Sequence, residues 1–283
     1  MRRFDANVDI EFIDYSIDDP TYSDEIKNYK PSFIWINYNP YNNLLIGSGC
    51  YGQSYLYQFD HNLNLKKRQK QPYLYATVMT VQNGTGNYLF SSWRMNEINV
   101  YDCDFNFMYY VDFQKTHFIE NKYIRAQGVI ECIHGDVMGN IYSIFDYNRI
   151  GCICQYNEKG IYMKHIELGR EAFSIAICDF KRQIITADLR CGLLQIYDSN
   201  HGLQGLSTYK IYGGGKYVRS KMHIVDNVAY IKYDKDIYCY DMRKLYSDID
   251  RPIDIINVNC DPSDFTIMDG RLLISKGNEL FYK

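Results

Sequence analysis

Short runs of alternating apolar and polar residues, each ending in an aromatic residue and a turn former, recur along the chain. They read Tyr55-Leu56-Tyr57-Gln58-Phe59-Asp60, Ile98-Asn99-Val100-Tyr101-Asp102, Cys152-Ile153-Cys154-Gln155-Tyr156-Asn157, Leu194-Gln195-Ile196-Tyr197-Asp198, Ile237-Tyr238-Cys239-Tyr240-Asp241 and Glu279-Leu280-Phe281-Tyr282-Lys283. Alternation with period two places one face of a strand against a core and the other outward. Measured from Asp60 to Lys283, successive copies are 42, 55, 41, 43 and 42 residues apart. Self-similarity at this period, in segments that read as strands, is the signature of a propeller blade of four strands. Six copies predict an all-β chain folded as a six-bladed β-propeller.

Each copy divides in the same way into strands A to D, counted from the axis outwards. The second strand is expected over 44–48, 88–92, 141–145, 184–187, 228–231 and 272–275, and the first over 33–37, 76–81, 129–133, 174–178, 222–225 and 265–268. Between them stand Asn42-Asn43, Gly86-Asn87, Gly139-Asn140, Asp226-Asn227 and Asp269-Gly270, residue types that tolerate the positive φ of a two-residue hairpin. The last copy stops at its third strand. The alternating run Val8-Asp9-Ile10-Glu11-Phe12-Ile13 has the character of an outer strand, so residues 8–14 are expected to complete the last blade and close the ring. That arrangement uses residues 1–283 as one domain and covers the exposed edge of the last blade.

Composition agrees with a packed core: 46% of residues are hydrophobic and 23% charged, the proportions of a globular protein. No stretch reaches the roughly 18 apolar residues of a spanning helix, and Met1-Arg2-Arg3-Phe4-Asp5 lacks the apolar core of a signal peptide. The nine cysteines form no C-x-x-C pair and mostly sit in apolar runs, as thiols kept reduced would. A cytoplasmic protein without membrane contact is the expectation. A net charge of −3 gives no global pull on nucleic acid. The 29 tyrosines, accompanied by much Ile, Asn and Lys, are also what an AT-rich coding sequence yields, so individual rings must be judged by position.

One blade carries a more specific pattern. Gly139-Asn140-Ile141-Tyr142-Ser143-Ile144-Phe145-Asp146-Tyr147-Asn148-Arg149-Ile150, followed by Gln155-Tyr156-Asn157-Glu158-Lys159-Gly160, resembles an NHL repeat, and Asn96-Glu97-Ile98-Asn99-Val100-Tyr101-Asp102 is similar in its second half. The other blades share only the general outline. NHL-like propellers are typically six-bladed platforms for protein or RNA, with a few lyases among them, and function does not follow from fold.

In a four-stranded blade the D-to-A and B-to-C connections emerge on one side of the disc, here called the entry side. The A-to-B and C-to-D turns emerge on the other, the turn side. The long connections 16–32 and 114–127 fall on the entry side, and long loops on a rigid scaffold are where binding residues collect. Cations collect there too. Arg125, Arg170, Lys216 and Arg219 precede first strands, while Arg94, Arg149, Arg190, Lys235 and Lys276 follow second strands. Tyr51, Tyr73, His117, Phe118, Tyr123, Tyr147 and Tyr217 are interleaved. Arginine forks bind carboxylate and phosphate bidentately, and aromatic rings offer stacking surfaces. The competing reading pairs these cations with Asp146, Asp188 and Asp234, or leaves them as ordinary solvated loop residues.

Other clusters read as structural. Cys152 and Cys154 share a strand face as buried hydrophobes. His134-Gly135-Asp136 and Asn83-Gly84-Thr85 read as polar turns, and Lys66-Lys67-Arg68 with Lys70 as a charged outer strand. The G-x-S-x-G, H-E-x-x-H, P-loop and dinucleotide motifs do not occur. The expected function is that of a non-catalytic binding module, with no catalytic residues, metal or cofactor, whose partner is a protein presenting an acidic or polar extended segment. Single-stranded RNA is a second possible ligand, disfavoured by the charge. The contrasting class is a metal-dependent hydrolase or lyase with its site in the central channel, for which Glu131 is the clearest acid on an inner strand.

Overall fold

The computed structural model describes residues 3–5, 32–50, 55–70, 76–92, 95–112, 129–147, 150–168, 174–188, 193–210, 221–233, 235–244, 252–258, 264–276 and 279–283. They form 24 strands in six antiparallel four-stranded sheets. Blade one is β2 (Ser32–Asn39), β3 (Leu44–Cys50), β4 (Tyr55–Phe59) and β5 (Leu65–Lys70). Blade two is β6 (Ala76–Val81), β7 (Tyr88–Ser92), β8 (Met95–Tyr101) and β9 (Phe107–Asp112). Blade three is β10 (Val129–Gly135), β11 (Ile141–Tyr147), β12 (Ile150–Tyr156) and β13 (Tyr162–Glu167). Blade four is β14 (Ser174–Cys178), β15 (Gln183–Asp188), β16 (Leu193–Asp198) and β17 (Gln204–Lys210). Blade five is β18 (Met222–Val225), β19 (Val228–Tyr233), β20 (Asp236–Asp241) and β21 (Asp254–Asn257). Blade six is β22 (Asp264–Met268), β23 (Arg271–Lys276) and β24 (Glu279–Tyr282).

The fourth strand of blade six comes from the other end of the chain. β1 (Arg3–Asp5) pairs antiparallel with β24, Arg3 opposite Phe281 and Asp5 opposite Glu279. The ring is thus closed by an N-terminal strand, as the pattern predicts. The residues that do it precede the run expected for the role: 8–13 lie outside the described residues.

Alternation explains why six sheets become one ring. On β14, Ile175 and Ile177 pack toward blade three while Ala176 and Cys178 pack toward blade five. Every interface between neighbours holds such a cluster. Tyr88, Phe90 and Phe105 meet Ile46 and Leu56 between blades two and one, and Met268, Leu273 and Leu280 meet Ile36, Leu45 and Phe59 across the closing interface. Each fully buried aliphatic or aromatic side chain contributes about 1.5–3 kcal/mol, so the interfaces carry most of the stability. Cys132, Cys152, Cys154, Cys178 and Cys239 are buried free thiols and Cys103 is a half-buried one. Cys152 and Cys154 sit in the interface of blades two and three, as hydrophobes.

The turns are more varied than the sequence pairs suggest. Asp226-Asn227 and Asp269-Gly270 are two-residue hairpins with positive φ at both positions. The other first turns are longer: blade four inserts a 3-10 turn over Asp179–Lys181, and blade three a side-chain cap. Asp136 accepts hydrogen bonds from Met138 N, Asn140 N, Asn140 Nδ2 and Tyr142 OH, closing a five-residue turn at Gly139. Asp60 and Asp102 do the same outside, through Asn62 and Asn64 and through Asp104 and Asn106. In these two the left-handed residue is Leu63 or Phe105, both buried. Left-handed backbone costs a non-glycine residue about 1–2 kcal/mol. Burial of Phe105, stacked on Tyr88 at 4.4 Å, offsets it.

Candidate functional site

Counting back from each A-to-B turn through the strand register aligns the inner strands. One level holds Asn37, Thr80, His134, Ala176, His223 and Thr266, opposite Ile46, Leu89, Tyr142, Ile185, Tyr230 and Leu273. Two residues nearer the entry side, the next level holds Trp35, Val78, Cys132, Ser174, Lys221 and Asp264. Lys221 falls just ahead of β18 and extends its ladder by accepting from Lys232 N. In blades one to three a β-bulge follows immediately, between Phe33 and Trp35, Ala76 and Val78, and Ile130 and Cys132. Glu131 is the extra residue of the third bulge. A bulge re-aims the side chain it carries.

Side chains of the upper level reach sideways to the next blade. Asn37 Nδ2 donates to Met79 O at 2.7 Å, Thr266 Oγ1 accepts from Tyr38 N at 3.2 Å, and His223 Nε2 meets Phe265 O at 3.0 Å. At the lower level Lys221 crosses further. Its ammonium is 2.5 Å from Asp264 Oδ2 in blade six and 2.5 Å from Ile36 O in blade one, and lies 5.5 Å from the Trp35 ring. Ile36 N completes the set by donating to Asp264 Oδ2 at 2.7 Å. Lys221 and Asp264 are both buried, and burial pulls the lysine below its ordinary pKa and pushes the aspartate above its own, each opposed by the other's charge. This buried pair ties blades five, six and one together at the seam of the ring.

Electrostatics run across the axis as well as around it. Burial lowers the pKa of His223 well below the ordinary value, and Lys221 and His134 lower it further. Burial also lowers His134, against the pull of Asp179. Cys132 is pushed up to about 11 by burial, with Lys221 working in the opposite direction. Blades three and five are not neighbours, so the influence of Lys221 on Cys132 and of His134 on His223 passes through the centre. Each imidazole gives one nitrogen to a carbonyl, His134 Nδ1 to Gly135 O and His223 Nε2 to Phe265 O. Those nitrogens must carry the proton, because a carbonyl only accepts. The other nitrogen of each is therefore an acceptor, and takes no hydrogen bond among the described residues. Among the described residues no three His, Cys, Asp or Glu side chains converge as metal ligands.

Of the binding residues expected from sequence, only the backbone of Tyr147 falls within the described residues. Arg94, Arg125, Arg149, Arg170, Arg190, Lys216, Arg219, Tyr51 and Tyr123 lie outside the described residues; Tyr147 ends β11, with its side chain outside them. The sequence reading missed Lys221, Asp264, Trp35 and His223. Their distance from the A-to-B turn pairs varies from blade to blade, so only the strand register aligns these positions at two levels. The turn reading of His134-Gly135-Asp136 holds for Asp136, whereas His134 belongs to β10.

The turn side is knitted from blade to blade. Tyr282 OH donates to His61 O, Asn42 Nδ2 to Cys103 O, Tyr109 OH to Glu158 O, Val137 N to Asp179 Oδ1 and Lys181 Nζ to Met242 O. Lys66 pairs with Asp60 at 3.3 Å and Lys67 donates to Asp104 O, so these lysines of β5 serve the ring.

No protein-family model matches the chain, and no curated protein matches it. Among solved structures it is similar to a chain of a crystal structure of a nidogen/laminin complex, with a TM-score of 0.61 at 11% identity over 81% of each chain. At that identity the likeness is one of fold. What the sheets define is a six-bladed β-propeller.

Proposed function

We propose that the chain is an NHL-like interaction platform, non-catalytic and cytoplasmic, whose entry side receives an acidic extended segment of a partner protein. What supports this reading is the place of three arginines in the sequence, just ahead of inner strands and on the side opposite the engaged turns. On the turn side the polar groups are engaged by the ring itself, as the four donors on Asp136 illustrate. Arg125, Arg170 and Arg219 each stand three or four residues ahead of a described inner strand in blades three, four and five. On this reading the three cations face the axis from successive blades. An anionic segment would relieve their repulsion through charge-assisted hydrogen bonds worth about 1.5–3 kcal/mol each.

The test is binding of a fluorescein-labelled glutamate-rich peptide to the wild type and to the Arg125→Ala, Arg170→Ala, Arg219→Ala triple variant. Affinity should fall by at least about 100-fold in the variant, about 2.7 kcal/mol, and wild-type binding should weaken as salt rises. Equal affinity in both proteins would remove the proposal, and preference for a single-stranded oligonucleotide over the peptide would replace the partner by RNA.

A further inference from the structure

Three turn tips on the turn side form one continuous surface. Tyr41 leaves blade one and lies along the backbone of the blade-two turn: Gly84 N donates to Tyr41 OH, and a Cβ on Gly86 would lie 2.8 Å from Tyr41 Cβ. Gly84 in turn abuts blade three, where a Cβ would fall 2.5 Å from Val137 O. Beyond Val137 come Met138 and then Gly139, which rests on Glu158. The apolar side chains along this strip are open to solvent: Tyr41 is 53% exposed, Val137 50% and Met138 67%.

Scattered exposed hydrophobes are ordinary. This set differs because its backbone is held in place. Val137 N donates to Asp179 Oδ1 at 3.0 Å, Met138 N to Asp136 Oδ1 at 2.9 Å, and Asn83 Nδ2 to Asp179 Oδ2 at 2.7 Å. A surface already ordered loses little entropy on binding. Its charge is one-sided at the axial end. Among the described residues Asp179, which is half-buried, accepts only from neutral donors and forms no ion pair, while Asp136 is buried beneath its own four donors. At the outer end the exposed Lys159 offsets the exposed Glu158, which leaves the anionic character concentrated beside Asp179.

We propose that Tyr41, Val137 and Met138 form a second docking surface, opposite the entry side, for an extended partner segment that lays an apolar side chain on Val137 and Met138 and sets a lysine or arginine beside Asp179. Charge complementarity selects this occupant: Asp179 is partly exposed and forms no ion pair among the described residues, so a cationic side chain gains there and an acidic one is repelled. The two sides of the disc then take ligands of opposite charge, and the protein joins two partners.

The test uses random dodecapeptides displayed on phage, selected on the full chain and counter-selected on a Val137→Asp, Met138→Asp variant. Both substituted positions are exposed, so the variant should melt with the wild type. The enriched peptides should carry Lys or Arg close to a large apolar residue. A synthetic copy should bind the variant at least about tenfold more weakly than the wild type, the order expected for loss of an apolar anchor. It should bind the triple arginine variant as well as the wild type, which separates this surface from the entry side. An acidic consensus, or a peptide that binds the Asp variant equally, would overturn the proposal. So would sedimentation showing that the wild type self-associates and the Asp variant does not, because the patch would then be a contact between copies.

Discussion

Lys221 and Asp264 meet at 2.5 Å in the interior of the ring, and the lysine that makes the pair also bonds to the carbonyl of Ile36 one blade further on. Removing one partner of such a pair strands a buried charge, at a cost of about 3–5 kcal/mol. Lys221→Met and Asp264→Leu should each lower stability by that order in a denaturant titration. The double variant should recover much of the loss, because no unpaired charge remains. Additive losses in the double variant would show that the two residues act independently.

Histidines held neutral give the protein an acid-sensitive interior. The folded pKa values of His134 and His223 lie below the ordinary 6.5, so the unfolded chain binds more protons than the folded one as pH drops through that value. Stability should be complete above pH 6.5 and decline below it, by up to about 1.4 kcal/mol per pH unit for each histidine. His223→Gln should flatten the decline by one histidine's share. A second decline belongs further down: burial works upward on Asp60, yet the hydrogen bonds from Asn64, Lys66 and Asn62 carry its pKa down to about 2. Its contribution is present above about pH 4 and fades as pH falls toward 2. Denaturant titrations from pH 8 to 2 resolve both.

Two glycines with nearly the same backbone separate strain from crowding. Gly84 has φ +81° and its missing Cβ would strike Val137 O, whereas Gly202 has φ +76° with nothing within 4 Å. Gly202→Ala should cost the left-handed penalty of about 1–2 kcal/mol. Gly84→Ala should cost more, since backbone must also move. Equal melting temperatures for the two variants would contradict this.

The latch of the ring joins β1 to β24. Deleting residues 1–5 removes β1 and uncovers the edge of β24, and an uncovered edge recruits other strands. The truncated protein should melt earlier and less sharply, and should form higher oligomers on size exclusion. A sharp, unshifted transition would show that blade six holds with three strands.

Blade number and most strand positions were legible because alternation and turn residues recur with the period. β6, β7, β14, β18 and β24 fall where the apolar runs begin and end. The axial residues were hidden for a physical reason. Lys221 and Asp264 look like the polar flanks of short strands, and only register shows that they continue the inner ladder inward. Capped turns were concealed likewise: Leu63 and Phe105 occupy a conformation that favours glycine, because packing holds them there.

Closure by β1 and β24 has a consequence for how the protein is made. During synthesis on the ribosome β1 emerges before any other described strand and its partner last, so the first strand must wait, unpaired, while five blades assemble beside it. An unpaired strand is a template for wrong pairing in that interval, so correct closure depends on the later blades folding promptly beside it.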